Sequence, residues 1–88
     1  MSYEVEFTKT ADRQFQKLEK IAQHQIVEFI DKNIDGSSNP RLYGKALKGE
    51  FRGFWRYEIG NFRLICDIQD DICRVLAIKV GHRKDVYK

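Results

Sequence analysis

Nothing in this chain is long or apolar enough to cross a membrane as a helix. Its longest purely aliphatic run is residues 75–78, where a bilayer span needs about 20 residues. Met1-Ser2-Tyr3-Glu4 opens no cationic and apolar leader, so the start does not read as a secretory signal and a cytoplasmic location is expected. Cysteine is scarce. Cys66 and Cys73 fall in apolar, strand-like runs and could face each other across a hairpin. They read as reduced, buried thiols rather than a disulfide, and they are too few for a zinc site. There is no glycine-rich phosphate loop, no nucleophile set up for acyl transfer and no grouping of acids for a metal. No cofactor or metal is therefore expected. Histidine is limited to His24 and His82, and His24 reads as an exposed helix residue without a role.

What is present is one domain, residues 1–88, enough for one small core. Its aromatic content argues against disorder. The net charge of +3 is unevenly spread. Residues 1–40 hold five Lys/Arg against seven Asp/Glu, and residues 41–88 hold eleven against six. The positive field sits on the C-terminal half, where it can attract a polyanion.

Tyr3-Glu4-Val5-Glu6-Phe7 alternates apolar and acidic residues, the pattern of a half-buried strand. Thr8 or Thr10 can cap the helix that follows, with Asp12 in its first turn, where the dipole favours an acid. Ala11, Phe15, Leu18 and Ala22, then Ile26, Phe29, Ile30 and Ile34, lie at helical spacing. One straight helix over 8–35 would run roughly 40 Å, too long for this domain, so a break into a helical hairpin is expected near residues 19–21. Asp35-Gly36-Ser37-Ser38-Asn39-Pro40 is a loop, with Gly36 placed to end the helix. Residues 41–49 look irregular or weakly helical.

Strands are expected at about 51–58, 62–68 and 72–80, joined by turns at Gly60-Asn61 and Gln69-Asp70-Asp71. Short connections make them antiparallel neighbours. The first strand, 3–7, is expected at an edge. The order β-α-α-β-β-β predicts an α+β domain: a helical hairpin on a small, twisted antiparallel sheet.

One sheet face is then covered by helices, and the other, with the chain end, is left for function. Alternation puts Arg56 and Glu58 together on it, with Trp55 and Tyr57 on the opposite side. Arg63 follows the tight turn and should lie near them, and His82 and Arg83 should end the next strand beside Arg63. Like charges so gathered repel and lose hydration. A phosphate relieves both costs, because a guanidinium binds it with paired hydrogen bonds. His82 can transfer protons near neutral pH. Tyr87 can stack on a base or donate to a phosphate, and Glu58 can act as a general base or pair with Arg56 or Arg63. Taken together, these residues suit RNA, whose own 2′-hydroxyl is a ready nucleophile needing no metal.

The element order resembles that of the RelE/ParE superfamily of bacterial toxins. So do Leu47-Lys48-Gly49, Phe54-Trp55-Arg56-Tyr57, Gly60-Asn61-Phe62-Arg63-Leu64-Ile65 and Val80-Gly81-His82-Arg83-Lys84-Asp85-Val86-Tyr87. The resemblance covers nearly the whole chain. It implies a ribosome-dependent endoribonuclease that cuts mRNA in the A site by 2′-hydroxyl attack without a metal. By the same resemblance Arg63 contacts the scissile phosphate, Arg83 is a second catalytic arginine and Tyr87 positions the substrate. Arg56 and Glu58 stand where RelE-like enzymes carry lysines, and His82 matches a histidine used for acid/base work. Lys45, Lys48, Arg52 and Lys84 become RNA contacts. The implied partners are ribosome, mRNA, a cognate antitoxin that covers the basic face, and operator DNA bound through the toxin–antitoxin complex. Two alternatives stay open: a ParE-like inhibitor of DNA gyrase, and a non-catalytic module that binds nucleic acid or protein.

Overall fold

A computed structural model describes residues 1–87. Strand β1, Glu4–Phe7, turns Val5 and Phe7 inward and leaves Glu4 and Glu6 exposed. Thr8 then caps helix α1, Lys9–Gln16, its hydroxyl accepting the Ala11 N–H at 3.1 Å. Helix α2 is Lys20–Asn33. The break between them falls at residues 17–19, slightly earlier than expected, without glycine or proline. Gln23 of α2 fastens it: its side-chain amide donates to the Phe15 carbonyl at 2.9 Å, which also accepts the Leu18 N–H at 3.1 Å, so the end of α1 is capped from α2.

After α2 the chain turns at Gly36, whose φ of +80° is a left-handed conformation suited to glycine. This return seals the outer edge of β1. Tyr3 N–H donates to Ser37, Gly36 N–H donates to Tyr3, and the Asp35 carboxylate accepts the Val5 N–H at 3.0 Å. Backbone groups that would otherwise template a foreign strand are thereby occupied. The following segment is part helix, part strand. A short 3-10 turn, Pro40–Leu42, leads to strand β2, Lys45–Ala46, and a second turn, Gly49–Phe51. The chain then runs through β3 (Trp55–Ile59), β4 (Phe62–Gln69) and β5 (Arg74–His82).

The sheet has five strands in the order β1-β5-β4-β3-β2. The three long C-terminal strands form the expected antiparallel meander, and β1 is at an edge as expected. It pairs with β5 in parallel, however, so the sheet is mixed. The reason is the helical hairpin, which carries the chain back over the sheet before the meander begins, as a crossover between parallel strands requires. Both helices pack on one face. Ala11, Ile26, Ile30 and Ile34 from the helices meet Tyr57, Ile59, Leu64, Cys66, Val75, Ala77 and Val80 from the strands.

Two irregularities redirect side chains. The β4–β5 register shifts between Ile65 and Cys66: Ile65 pairs with Lys79 but Cys66 with Ala77, leaving Ile78 as an extra residue. Past this bulge the alternation of β5 inverts. Cys73 lies at the turn with φ of +49°, and Cys66 pairs with Ala77, so the two cysteines do not face each other. Both are free thiols, Cys66 buried and Cys73 half-buried, and burial pushes the Cys66 thiol above its ordinary range. No helix among the described residues is long and apolar enough to cross a membrane.

Candidate nucleic-acid interface

The face of the sheet away from the helices carries the expected cluster. Glu58 pairs with Arg63 in the β3–β4 register, Arg56 pairs with Ile65, and Lys45 of β2 lies opposite Arg56. The Glu58 carboxylate holds both arginines. Its Oε2 accepts from Arg56 Nη2 at 2.9 Å, and its Oε1 lies 3.7 Å from Arg63 Nη2.

Arg63 is fixed from its other end. Its Nη1 donates to the Gly60 carbonyl at 2.9 Å and to the Phe62 carbonyl at 2.8 Å, and the side chain is only 14% exposed. This arginine therefore laces the hairpin turn that precedes it. Arg56 donates through Nη1 to the Tyr87 hydroxyl at 3.3 Å, while its Nε–H is buried without a partner. The Tyr87 hydrogen bond raises the Arg56 pKa, burial opposes it, and the Glu58 charge adds to the increase.

The chain end is seated on this same face. Tyr87 packs edge-on against Phe51 with centroids 5.4 Å apart, and Lys79 lies 5.4 Å over the Phe51 ring. Val86 beneath them is buried. The last residues thus form a small lid of Phe51, Val86 and Tyr87 beside the arginines.

Arg56, Glu58, Arg63 and Tyr87 are gathered here, but His82 is not. It pairs with Phe62 in the β4–β5 register and meets that ring edge-to-face at 5.8 Å, on the side covered by helices. The bulge at Ile78 causes this: it brings Lys79 to the open face and turns Val80 and His82 away. His82 Nδ1 accepts the Lys84 N–H at 3.2 Å, so the neutral ring carries its proton on Nε2.

Arg83 lies in the turn after β5. Its N–H donates to Asn61 at 2.8 Å, placing it beside the hairpin that holds Arg63. Its side chain is exposed. Lys45, Lys48, Arg52 and Lys84 are likewise exposed. Of these, the β2–β3 register sets Lys45 beside Arg56.

Two features were missed in the sequence. Lys79 reaches the open face only through the bulge, which strict alternation does not reveal. Asp70 is the anchor of a clamp at the far end of the sheet. It accepts from Tyr3 Oη at 2.6 Å and takes both Arg41 nitrogens at 2.9 and 3.0 Å. Those two partners hold the Asp70 carboxyl down at about 2. Nearby, the buried Tyr57 hydroxyl donates to the Pro40 carbonyl at 2.6 Å. Neither contact is encoded in local spacing.

Residues 5–87 match the family model of the ParE toxin of the type II toxin–antitoxin system parDE. Among curated relatives, the toxin RelG of Mycobacterium tuberculosis is 35% identical over 88 residues, covering 100% of this chain and 99% of the relative. The toxin RelE of the same organism is 34% identical over 87 residues, covering 98% of this chain and 87% of the relative. Among solved structures, the M. tuberculosis toxin–antitoxin complex RelBE2 aligns with a TM-score of 0.84 and 32% identity, over 94% of this chain and 100% of that one. The isolated Escherichia coli RelE toxin shares the fold at a TM-score of 0.67 and 22% identity, over 92% of this chain and 84% of that one. On this match along almost its whole length, and on a fold that agrees with it, the chain belongs to the RelE/ParE family of toxins from type II toxin–antitoxin systems.

Proposed function

We propose that this toxin is a ribosome-dependent endoribonuclease that cuts mRNA in the A site. The observation that carries the reading is the gathering of Arg56, Glu58, Arg63 and Tyr87 on the open face, with Lys45 beside them. The RNA 2′-oxygen attacks the adjacent phosphorus. The P–O5′ bond breaks, leaving a 2′,3′-cyclic phosphate and a free 5′-hydroxyl. Charge builds on the non-bridging oxygens, where Arg63, Arg56 and Arg83 stabilise it. Tyr87 positions the nucleotide by stacking or by its hydroxyl.

Glu58 and His82 are the titratable groups at hand to take the 2′-proton and to protonate the leaving 5′-oxygen. His82 would act from the end of β5, where its Nδ1 is held by the Lys84 N–H at 3.2 Å. Lys45, Lys48, Arg52 and Lys84 would contact the RNA around the cut. The likeness to RelBE2, solved with its antitoxin, supports a cognate antitoxin as partner, with operator DNA bound through that complex.

The test uses the purified protein and ribosomes stalled on a defined mRNA, with RNA ends mapped by primer extension. Cuts confined to the A-site codon, bearing 5′-hydroxyl ends and lost in Arg83→Ala, are expected. Intact mRNA from a folded protein refutes the reading. The ParE family match favours one second reading, inhibition of DNA gyrase, and a supercoiling assay then decides it.

A further inference from the structure

We propose that Glu58 is an internal stand-in for the substrate phosphate, a carboxylate that occupies the anion position between Arg56 and Arg63 until a phosphodiester displaces it. The inference rests on the reading that this face receives RNA, and it adds a built-in competitor to that site. A carboxylate and a phosphate present the same feature to a guanidinium, oxygens spaced for its paired N–H groups. Glu58 fills this place now, facing Arg56 Nη2 at 2.9 Å and Arg63 Nη2 at 3.7 Å.

Three details mark the contact as exchangeable. Arg63 Nη1 is tied to the Gly60 and Phe62 carbonyls, so the guanidinium stays in place and the anion is the mobile partner. The Arg63–Glu58 separation of 3.7 Å is an ion pair too long for a good hydrogen bond. The Arg56 Nε–H remains buried and unpaired, a donor that Glu58 leaves unused and that costs free energy while it stays so. A phosphodiester brings more acceptor oxygens and can serve both arginines at once.

Glu58 also has somewhere to go. Its side chain is 41% exposed, and β2 pairs with β3 only at Arg56 and Trp55, so the flank of β3 at Glu58 is uncovered. An open groove lined by Phe29, Lys32, Glu58 and Gly60 runs along that flank. Swinging the carboxylate toward the mouth of this groove exposes the arginine pair, rehydrates the acid and leaves it at the edge of the site, free to take the 2′-proton.

The experiment titrates a 2′-O-methyl RNA pentanucleotide, which binds but cannot be cleaved, into the full-length protein. Glu58→Gln keeps the shape and removes the charge. Since a partly exposed ion pair of this kind is worth about 1 kcal/mol, affinity should rise by about fivefold. Asp67→Asn is the control. Asp67 accepts from Gln69 at 2.9 Å rather than from an arginine, so a general loss of negative charge would act there equally. The gain from Glu58→Gln should also shrink in an Arg56→Met background. Unchanged or weaker binding by folded Glu58→Gln, an equal gain from Asp67→Asn, or no binding by any variant overturns the proposal. Tightening by Glu58→Gln with no ribosomal cleavage by the parent protein upholds the stand-in and refutes the nuclease. Cleavage by the parent protein without tightening by Glu58→Gln does the reverse.

Discussion

Arg63→Ala separates what this arginine does for the fold from what it does for the substrate. Its Nη1 makes two hydrogen bonds to carbonyls of its own hairpin, at 2.9 and 2.8 Å. A bond to a charged group contributes about 1.5–3 kcal/mol when its partner cannot rehydrate. Here the freed carbonyls flank an exposed turn and regain water, so the two bonds together are worth about 2 kcal/mol. That shifts the melting temperature down by about 10 °C for a domain of this size. Overall stability for such a chain is about 4–13 kcal/mol, so the variant remains folded. Arg83→Ala is the contrast. Its side chain is exposed, so stability should move by less than about 0.5 kcal/mol. Urea unfolding followed by Trp55 fluorescence gives both values, and growth arrest on induction gives toxicity. Both variants should lose toxicity, and Arg63→Ala alone should unfold earlier. Equal midpoints for Arg63→Ala and the parent would refute the lacing of the hairpin.

Tyr57→Phe removes the hydroxyl that donates to Pro40 at 2.6 Å and leaves that carbonyl without its partner, so urea unfolding should show a loss of about 1–2 kcal/mol. Its ribosomal cleavage should be unchanged, because Tyr57 lies on the helix side of the sheet. Asp70 is held at about 2 in the folded protein, below its ordinary 3.8. Its stabilising contribution is therefore complete above pH 3.8 and is lost as the pH falls through about 2. Asp70→Asn should thus melt below the parent at pH 6, and the gap should close between pH 4 and pH 2. A gap that persists at pH 2 would mean that the clamp acts through something other than the carboxylate charge.

Much of the fold is legible from periodicity. Period-two alternation gives β1, helical spacing gives α1 and α2, and Gly60-Asn61 gives the hairpin that brings Arg63 beside Glu58. What escapes is whatever depends on a contact distant in sequence. The helix break relies on Gln23 reaching back to Phe15. Strand β2 forms because Gly44, at φ +85°, lays the chain against β3 so closely that a Cβ there would sit 2.3 Å from the Arg56 carbonyl oxygen. The candidate site divides along the same line. Arg56, Glu58 and Arg63 lie within one hairpin, so local register suffices to place them. His82 lies beyond the bulge at Ile78, where a single extra residue reverses its face. A bulge has no composition signal in this stretch, since Ile78 is as good a strand residue as its neighbours.

The parallel pairing of β1 with β5 sets the order in which the molecule can assemble. Glu4 pairs with Arg74, 70 positions along the chain, whereas β3, β4 and β5 are joined by tight turns. Closing the long loop costs about 2–3 kcal/mol more entropy than closing a hairpin. The meander bearing the arginines therefore forms early, and capture of β1 comes late, once the helices have docked and buried enough apolar surface to offset that entropy. The seal formed by Tyr3, Asp35 and Gly36 then acts kinetically: it slows the departure of the strand that is hardest to recapture.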